Sequence, residues 1–178
     1  EIDVRPRNFP HVTQSVEAML KLFRSASLYG VLPSPRVVEA IKAHIPAHPR
    51  PLSATEAALF ISILASPRML GPILRTMFDC RLLDFVIPEF THARCLLQFN
   101  QYHSYTVDEH TLRAMETVAQ FEQDEGPVGA AYRQIQHKEV LHLALLLHDI
   151  GKGYEEDHCE RGRLIADRVA ARLGFSDD

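Results

Sequence analysis

His148 and Asp149 close an apolar run, Leu143-Ala144-Leu145-Leu146-Leu147, and open a glycine-rich turn, Ile150-Gly151-Lys152-Gly153. An imidazole nitrogen and a carboxylate oxygen are both ligands for a divalent cation. Adjacent helical residues project about 100° apart, yet at a helix end both side chains reach one ion. The C-terminal end of a helix also carries partial negative charge, which favours a cation there. Gly151 and Gly153 free the backbone to turn away, which leaves the Lys152 ammonium near the same point, placed to hold a phosphate oxygen. A second imidazole, His110, stands upstream in Tyr105-Thr106-Val107-Asp108-Glu109-His110-Thr111. His110, His148 and Asp149 are candidate metal ligands. His148, Asp149 and Lys152 are the candidate catalytic residues. The chemistry that such a set supports is hydrolysis at phosphorus, with a metal that acidifies water and screens phosphoryl charge.

The other histidines read differently. His142 lies six residues before His148 and projects far from it around the helix, as a core or surface histidine. His137 caps that helix or faces solvent. His103 and Tyr105 either line the pocket or pack on the helix cap. His11, His44, His48 and His92 have no partner pattern. Asp167 reads as a solvated residue of the last helix.

These residues need helices to place them, and almost everything after residue 10 is helical in pattern. Val12, Val16, Met19, Leu20 and Phe23 fall at helical spacing before Gly30. Ser34-Pro35 sets a cap before a proline at the first helical position, and Val38, Ile41 and Ile45 form the stripe that follows. Ser53 with Glu56, and again Thr106 with Glu109, fit a capping box. Ser66-Pro67 opens a helix with a kink or restart at Pro72, and Pro88 interrupts a later one. Gly126, Pro127 and Gly129 predict a polar loop. A strongly apolar helix runs over 138–149 and a last one over 158–173, stopped by Gly174. No strand pattern recurs, so the fold class is all-α, with a soft boundary near residue 98. Residues 1–98 are expected to form one helical segment. Residues 99–178 carry most of the chemistry.

The sequence has 178 residues, 46% hydrophobic and 24% charged, so it buries a core. Its formal charge of −4 argues against nucleic acid, whose binding draws on basic residues. No apolar run approaches the roughly 18 residues of a membrane span. Three widely spaced cysteines, Cys80, Cys95 and Cys159, read as reduced thiols in a cytoplasmic protein. Glu1 in place of methionine, and the alternation Ile2-Asp3-Val4-Arg5, read as the end of a strand without its partner. The chain is expected to be a piece of something larger.

His110, then His148-Asp149, is the order of ligands in the HD superfamily, which the sequence resembles. The run Tyr102-His103-Ser104-Tyr105-Thr106-Val107-Asp108-Glu109-His110-Thr111-Leu112 is similar to the signature of the uridylyl-removing domain of PII uridylyltransferases. Leu146 to Gly153, and Asp157-His158, match that family in the same order. Cys159 stands where the family usually has serine. Ile87-Pro88-Glu89-Phe90 resembles the family's helical linker. The resemblance implies a linker over 1–98 and the first part of an HD bundle over 99–178. It implies a divalent metal, Mn²⁺ or Mg²⁺ foremost with Fe²⁺ and Zn²⁺ compatible, held by His110, His148, Asp149 and His158. A final aspartate ligand is expected beyond Asp178, since Asp167, Asp177 and Asp178 do not match its context. The implied substrate is the uridylylated PII signalling protein of nitrogen regulation, with glutamine sensed by domains absent here. Two other readings compete: an HD phosphohydrolase acting on a nucleotide, and a non-catalytic helical module that docks PII.

Overall fold

A computed structural model describes residues 1–97 and 105–175. The expected boundary near 98, the motif residues Tyr102, His103 and Ser104, and Asp177 and Asp178 lie outside the described residues. In chain order the α-helices are α1 (Phe9–Thr13), α2 (Val16–Tyr29), α3 (Pro35–His44), α4 (Ala54–Leu64), α5 (Leu70–Asp79), α6 (Leu82–Val86), α7 (Phe90–Ala93), α8 (Val107–Gln120), α9 (Pro127–Gln134), α10 (Lys138–Leu147) and α11 (His158–Leu173). Single 3₁₀ turns, Pro6–Asn8 and Pro67–Met69, lead into α1 and α5. The all-α expectation holds. No single helix among the described residues is long and apolar enough to cross a membrane.

Local chemistry sets most of the boundaries. Ser15 accepts a hydrogen bond from the Ala18 N–H and starts α2, and Gly30, at φ 67°, ends it. The Ser53–Glu56 capping box is fully formed at α4. The second expected box is not. Thr106 is the N-cap of α8 but makes no side-chain cap bond. Glu109 instead faces Arg75 of α5, whose Nη1 lies 2.9 Å from Glu109 Oε2. A long-range cation outcompetes the local N–H. Ser34 likewise turns its hydroxyl to Asp3, at 2.8 Å, rather than to α3. The expected loop at 126–129 is mostly helix: Gly126 is the N-cap of α9 and Pro127 its first residue. Its glycine and proline mark a start, not a break. Pro72 lies within the first turn of α5, where a missing N–H costs nothing, so the helix restarts at Leu70 instead. The strand-like start does find a partner. Ile2 forms one isolated bridge with Pro33, through Ile2 N–H to Leu32 O and Ser34 N–H to Ile2 O, both 2.8 Å.

The helices share one apolar core. Phe23 of α2, Phe60 of α4, Leu74 and Met77 of α5, Met115 of α8, Leu146 of α10 and Ile165 of α11 belong to the same buried cluster. Two features join the N-terminal helices to α8. Gly71 brings α5 so near that a Cβ there would stand 2.6 Å from Glu116 Cα. Arg75, four residues on, donates from Nε to Glu116 at 2.6 Å and from Nη1 to Glu109. Both carboxylates raise the Arg75 pKa, and the Arg75 bond lowers that of Glu109.

Candidate metal centre

Helix α8 presents His110. Val107, Leu112 and Met115 bury one face of the helix. Asp108, also buried, accepts from Cys95 N–H through one oxygen and from Glu109 N–H through the other, both at 2.9 Å. That carboxylate ties the start of α8 to the segment after α7. His110 sits next to these anchors, and 45% of its side chain is exposed.

Helix α10 presents the other pair. Leu143, Leu146 and Leu147 drive it into the core. The helix ends at Leu147. His148 follows in helical geometry, and Asp149 begins the turn. Lys152 N–H closes that turn on Asp149 O at 3.1 Å, and buried Ile150 plugs it into the core. Gly153, at φ 82°, adopts the left-handed backbone that the turn requires. Gly151 faces α11 at main-chain contact, and a Cβ there would overlap His158 O and Gly162 N.

The three candidate ligands converge from two helices, although His110 and His148 lie 38 residues apart in sequence. His148 Nε2 lies 3.3 Å from His110 Nε2. Asp149 Oδ2 is 3.4 Å from His148 Nε2 and 3.7 Å from His110 Nε2. Ligand atoms bonded at about 2.1 Å to one tetrahedral or octahedral ion stand roughly 3.0–3.4 Å apart. The observed edges therefore fit an ion with little adjustment. The tautomer of His148 fits as well. Its Nδ1 lies 2.7 Å from the Leu145 carbonyl oxygen, which can only accept, so Nδ1 carries the proton and Nε2 offers its lone pair to the cluster. Among the described residues, His110, His148 and Asp149 form the one such group of potential ligands.

The remaining expected residues take distinct places. Lys152 reaches the site: its Nζ lies 2.8 Å from Asp149 Oδ2, with both side chains mostly buried. His158 is not in the three-ligand group. It is exposed at the start of α11 and shares a groove of about 890 Å³ with His148, Asp149 and Cys159. Tyr105 lies over the other flank, under the Arg113 guanidinium at 4.3 Å, in a smaller apolar pocket of about 460 Å³ that includes His110. Asp167 is exposed and pairs with Arg163, as its pattern suggested. All three cysteines are free thiols.

Sequence reasoning missed three supports. Arg75 holds α8 from the far side of the chain. His92 stacks on Tyr154 at 3.9 Å and contacts Lys152 O at 3.2 Å, which braces the turn. His142 is fully buried between α4, α9 and α10. None of these three had a local signal, whereas Asp108, a further support, did, as an acidic residue in the first turn of a helix.

Burial lowers the His142 pKa from the ordinary 6.5, opposed by its bond to Leu64, with Lys138 lowering it further and Glu139 raising it. The folded state thus prefers the neutral ring. That contribution to stability is complete above about pH 6.5, the unfolded value, and is lost as pH falls through the depressed folded value. Thermal melts between pH 7.5 and 5 should therefore drop further for the natural protein than for His142→Asn. Equal drops would show that this ring does not contribute.

Residues 107–178 match the HD domain family. The chain is 36% identical over 165 residues to the bifunctional uridylyltransferase/uridylyl-removing enzyme of Ruegeria pomeroyi. It is 36% identical to that of Cereibacter sphaeroides over the same length. With that of Rhodospirillum rubrum it shares 34% over 166 residues. These alignments take in 89–90% of this chain but 18% of each relative. No solved structure gives a significant match. Residues 107–178 thus resemble an HD domain, in a chain similar over nearly all its length to one segment of bifunctional uridylyltransferase/uridylyl-removing enzymes.

Proposed function

We propose that this chain carries the hydrolytic centre of a uridylyl-removing enzyme, which splits the phosphodiester between UMP and a tyrosine of the PII signalling protein. The observation that carries this reading is the convergence of His110, His148 and Asp149, with His148 held in the tautomer that turns Nε2 inward. The names of the similar enzymes support a uridylyl group as what is removed, and the resemblance of residues 102–112 to the uridylyl-removing signature supports PII as its carrier. A divalent ion there, Mn²⁺ or Mg²⁺, would polarise a phosphoryl oxygen and acidify water. Asp149 supplies the negative charge that retains the ion. Lys152, now against Asp149, is placed to hold a non-bridging phosphoryl oxygen. His158, on the rim of the groove, is placed to contact the same phosphoryl group or a second ion. Water adds to phosphorus, the bond from phosphorus to the tyrosine oxygen breaks, and that oxygen leaves with a proton. The products are UMP and unmodified PII.

The test follows UMP release from uridylylated PII by chromatography. Release is expected with Mn²⁺ present and is expected to stop with a chelator. Hydrolysis of free nucleotides alone would favour a nucleotide phosphohydrolase. Binding of PII with neither metal uptake nor hydrolysis would favour a docking module.

A further inference from the structure

The His142 ring is fully buried in α10, six residues before His148. Its Nδ1 lies 2.6 Å from the carbonyl oxygen of Leu64, the last residue of α4. Its Nε2 lies 2.8 Å from the hydroxyl of Tyr132 on α9. A carbonyl oxygen only accepts, so Nδ1 carries the proton. In the neutral ring Nε2 then accepts from the Tyr132 hydroxyl. The lowered pKa agrees with a neutral ring. The order of protons is thereby fixed across three helices.

The Leu64 bond does two things. The last carbonyls of a helix have no partner within it, and this one would otherwise be buried and unsatisfied. The bond also has direction. Leu143, Leu146 and Leu147 hold α10 by apolar contact, which is non-directional and resists sliding or rotation weakly. A donor at 2.6 Å from a fixed acceptor resists both. His148 continues α10 in helical geometry, φ −57° and ψ −31°, so a shift at His142 is carried to the ligand pair. Bonds of about 2.0–2.2 Å leave little room for such a shift.

We infer that His142 is a positioning residue for the metal centre: its Nδ1–H bond to Leu64 O fixes α10 along α4 and so sets how His148 and Asp149 meet His110. This rests on the metal-binding reading of that cluster.

The two nitrogens can be replaced one at a time. His142→Asn keeps a donor near the Nδ1 position and loses the partner of Tyr132. His142→Gln reaches the Nε2 position and loses the Leu64 bond. Tyr132→Phe removes the hydroxyl and leaves the Leu64 bond intact. Each protein is titrated with Mn²⁺ by calorimetry, loaded with Co²⁺ for its absorption spectrum, and melted. His142→Gln is expected to weaken Mn²⁺ binding about tenfold and to change the Co²⁺ spectrum, while the other two stay within about twofold of the natural protein. All three are expected to melt lower. A purely structural role would instead make affinity follow melting temperature across the set, and that result overturns the inference. So does natural affinity in His142→Gln. If His142→Gln does not fold, the other two decide, and a clear loss of affinity in either overturns it. A natural protein that takes up no Mn²⁺ overturns the metal-binding reading as well, which separates the two failures.

Discussion

Asp149→Asn is expected to lower Mn²⁺ affinity by at least on the order of 100-fold, beyond the usual cost of losing a supporting hydrogen bond, and to reduce UMP release to background. Two effects add. The substitution removes the one anionic ligand of the three, and Asp149 is also the least exposed of them. It also strips Lys152 of the carboxylate 2.8 Å away. The Lys152 ammonium, mostly buried and no longer facing the Asp149 charge, opposes a second cation at the same place. Restoring neutrality with Lys152→Gln in the Asp149→Asn background should therefore recover part of the metal affinity, though not hydrolysis. Calorimetry on the three proteins measures this. Unchanged affinity in Asp149→Asn would sink the ligand assignment, and no recovery in the double variant would show that Lys152 is electrostatically idle.

The second large effect concerns a pair of glycines that face each other and are not equivalent. A Cβ on Gly151 would overlap His158 O and Gly162 N, all main-chain atoms. A Cβ on Gly162 would stand 3.7 Å from Gly151 N, at ordinary contact. Gly151→Ala must push α11 off the turn that carries the ligands. Its cost is about 3 kcal/mol, at the upper end for overpacking, or roughly 6–12 °C in melting temperature for a chain of this size. Gly162→Ala lies inside α11, where alanine is the better helix former by about 0.8–1 kcal/mol. It should leave melting temperature unchanged or raise it. Thermal melts of the two single variants decide the matter. Equal losses would mean that the tight approach of turn and helix is not as described.

The helices were legible where local chemistry alone decides. Ser53 and Glu56 sit in one turn and need no distant partner, so their box formed as read. The last helix starts at His158 and stops before Gly174, which takes φ 80°. The meeting of His110 with His148-Asp149 was legible because each stands on a capped or apolar helix. What the sequence concealed depends on residues far apart along it. Glu109 left its expected box for Arg75, 34 residues away. Gly126 and Pro127 have the composition of a loop, and only the structure shows them opening α9. His142 read as an ordinary core or surface histidine, because its two partners lie 78 and 10 residues away. Periodicity reports which face is buried and is silent on what a buried polar group will meet.

The meeting of Gly71 with the backbone of Glu116 is a joint without padding. Between most helices a layer of side chains takes up small displacements by changing rotamer. Here main chain rests on main chain, so the joint is as stiff as the two hydrogen-bonded helices themselves. A push on α5 therefore passes to α8 almost undamped, and His110 lies within two turns of the point of contact. The cluster of His110, His148 and Asp149 is thus connected by a short strut to a part of the molecule that supplies none of its three side chains.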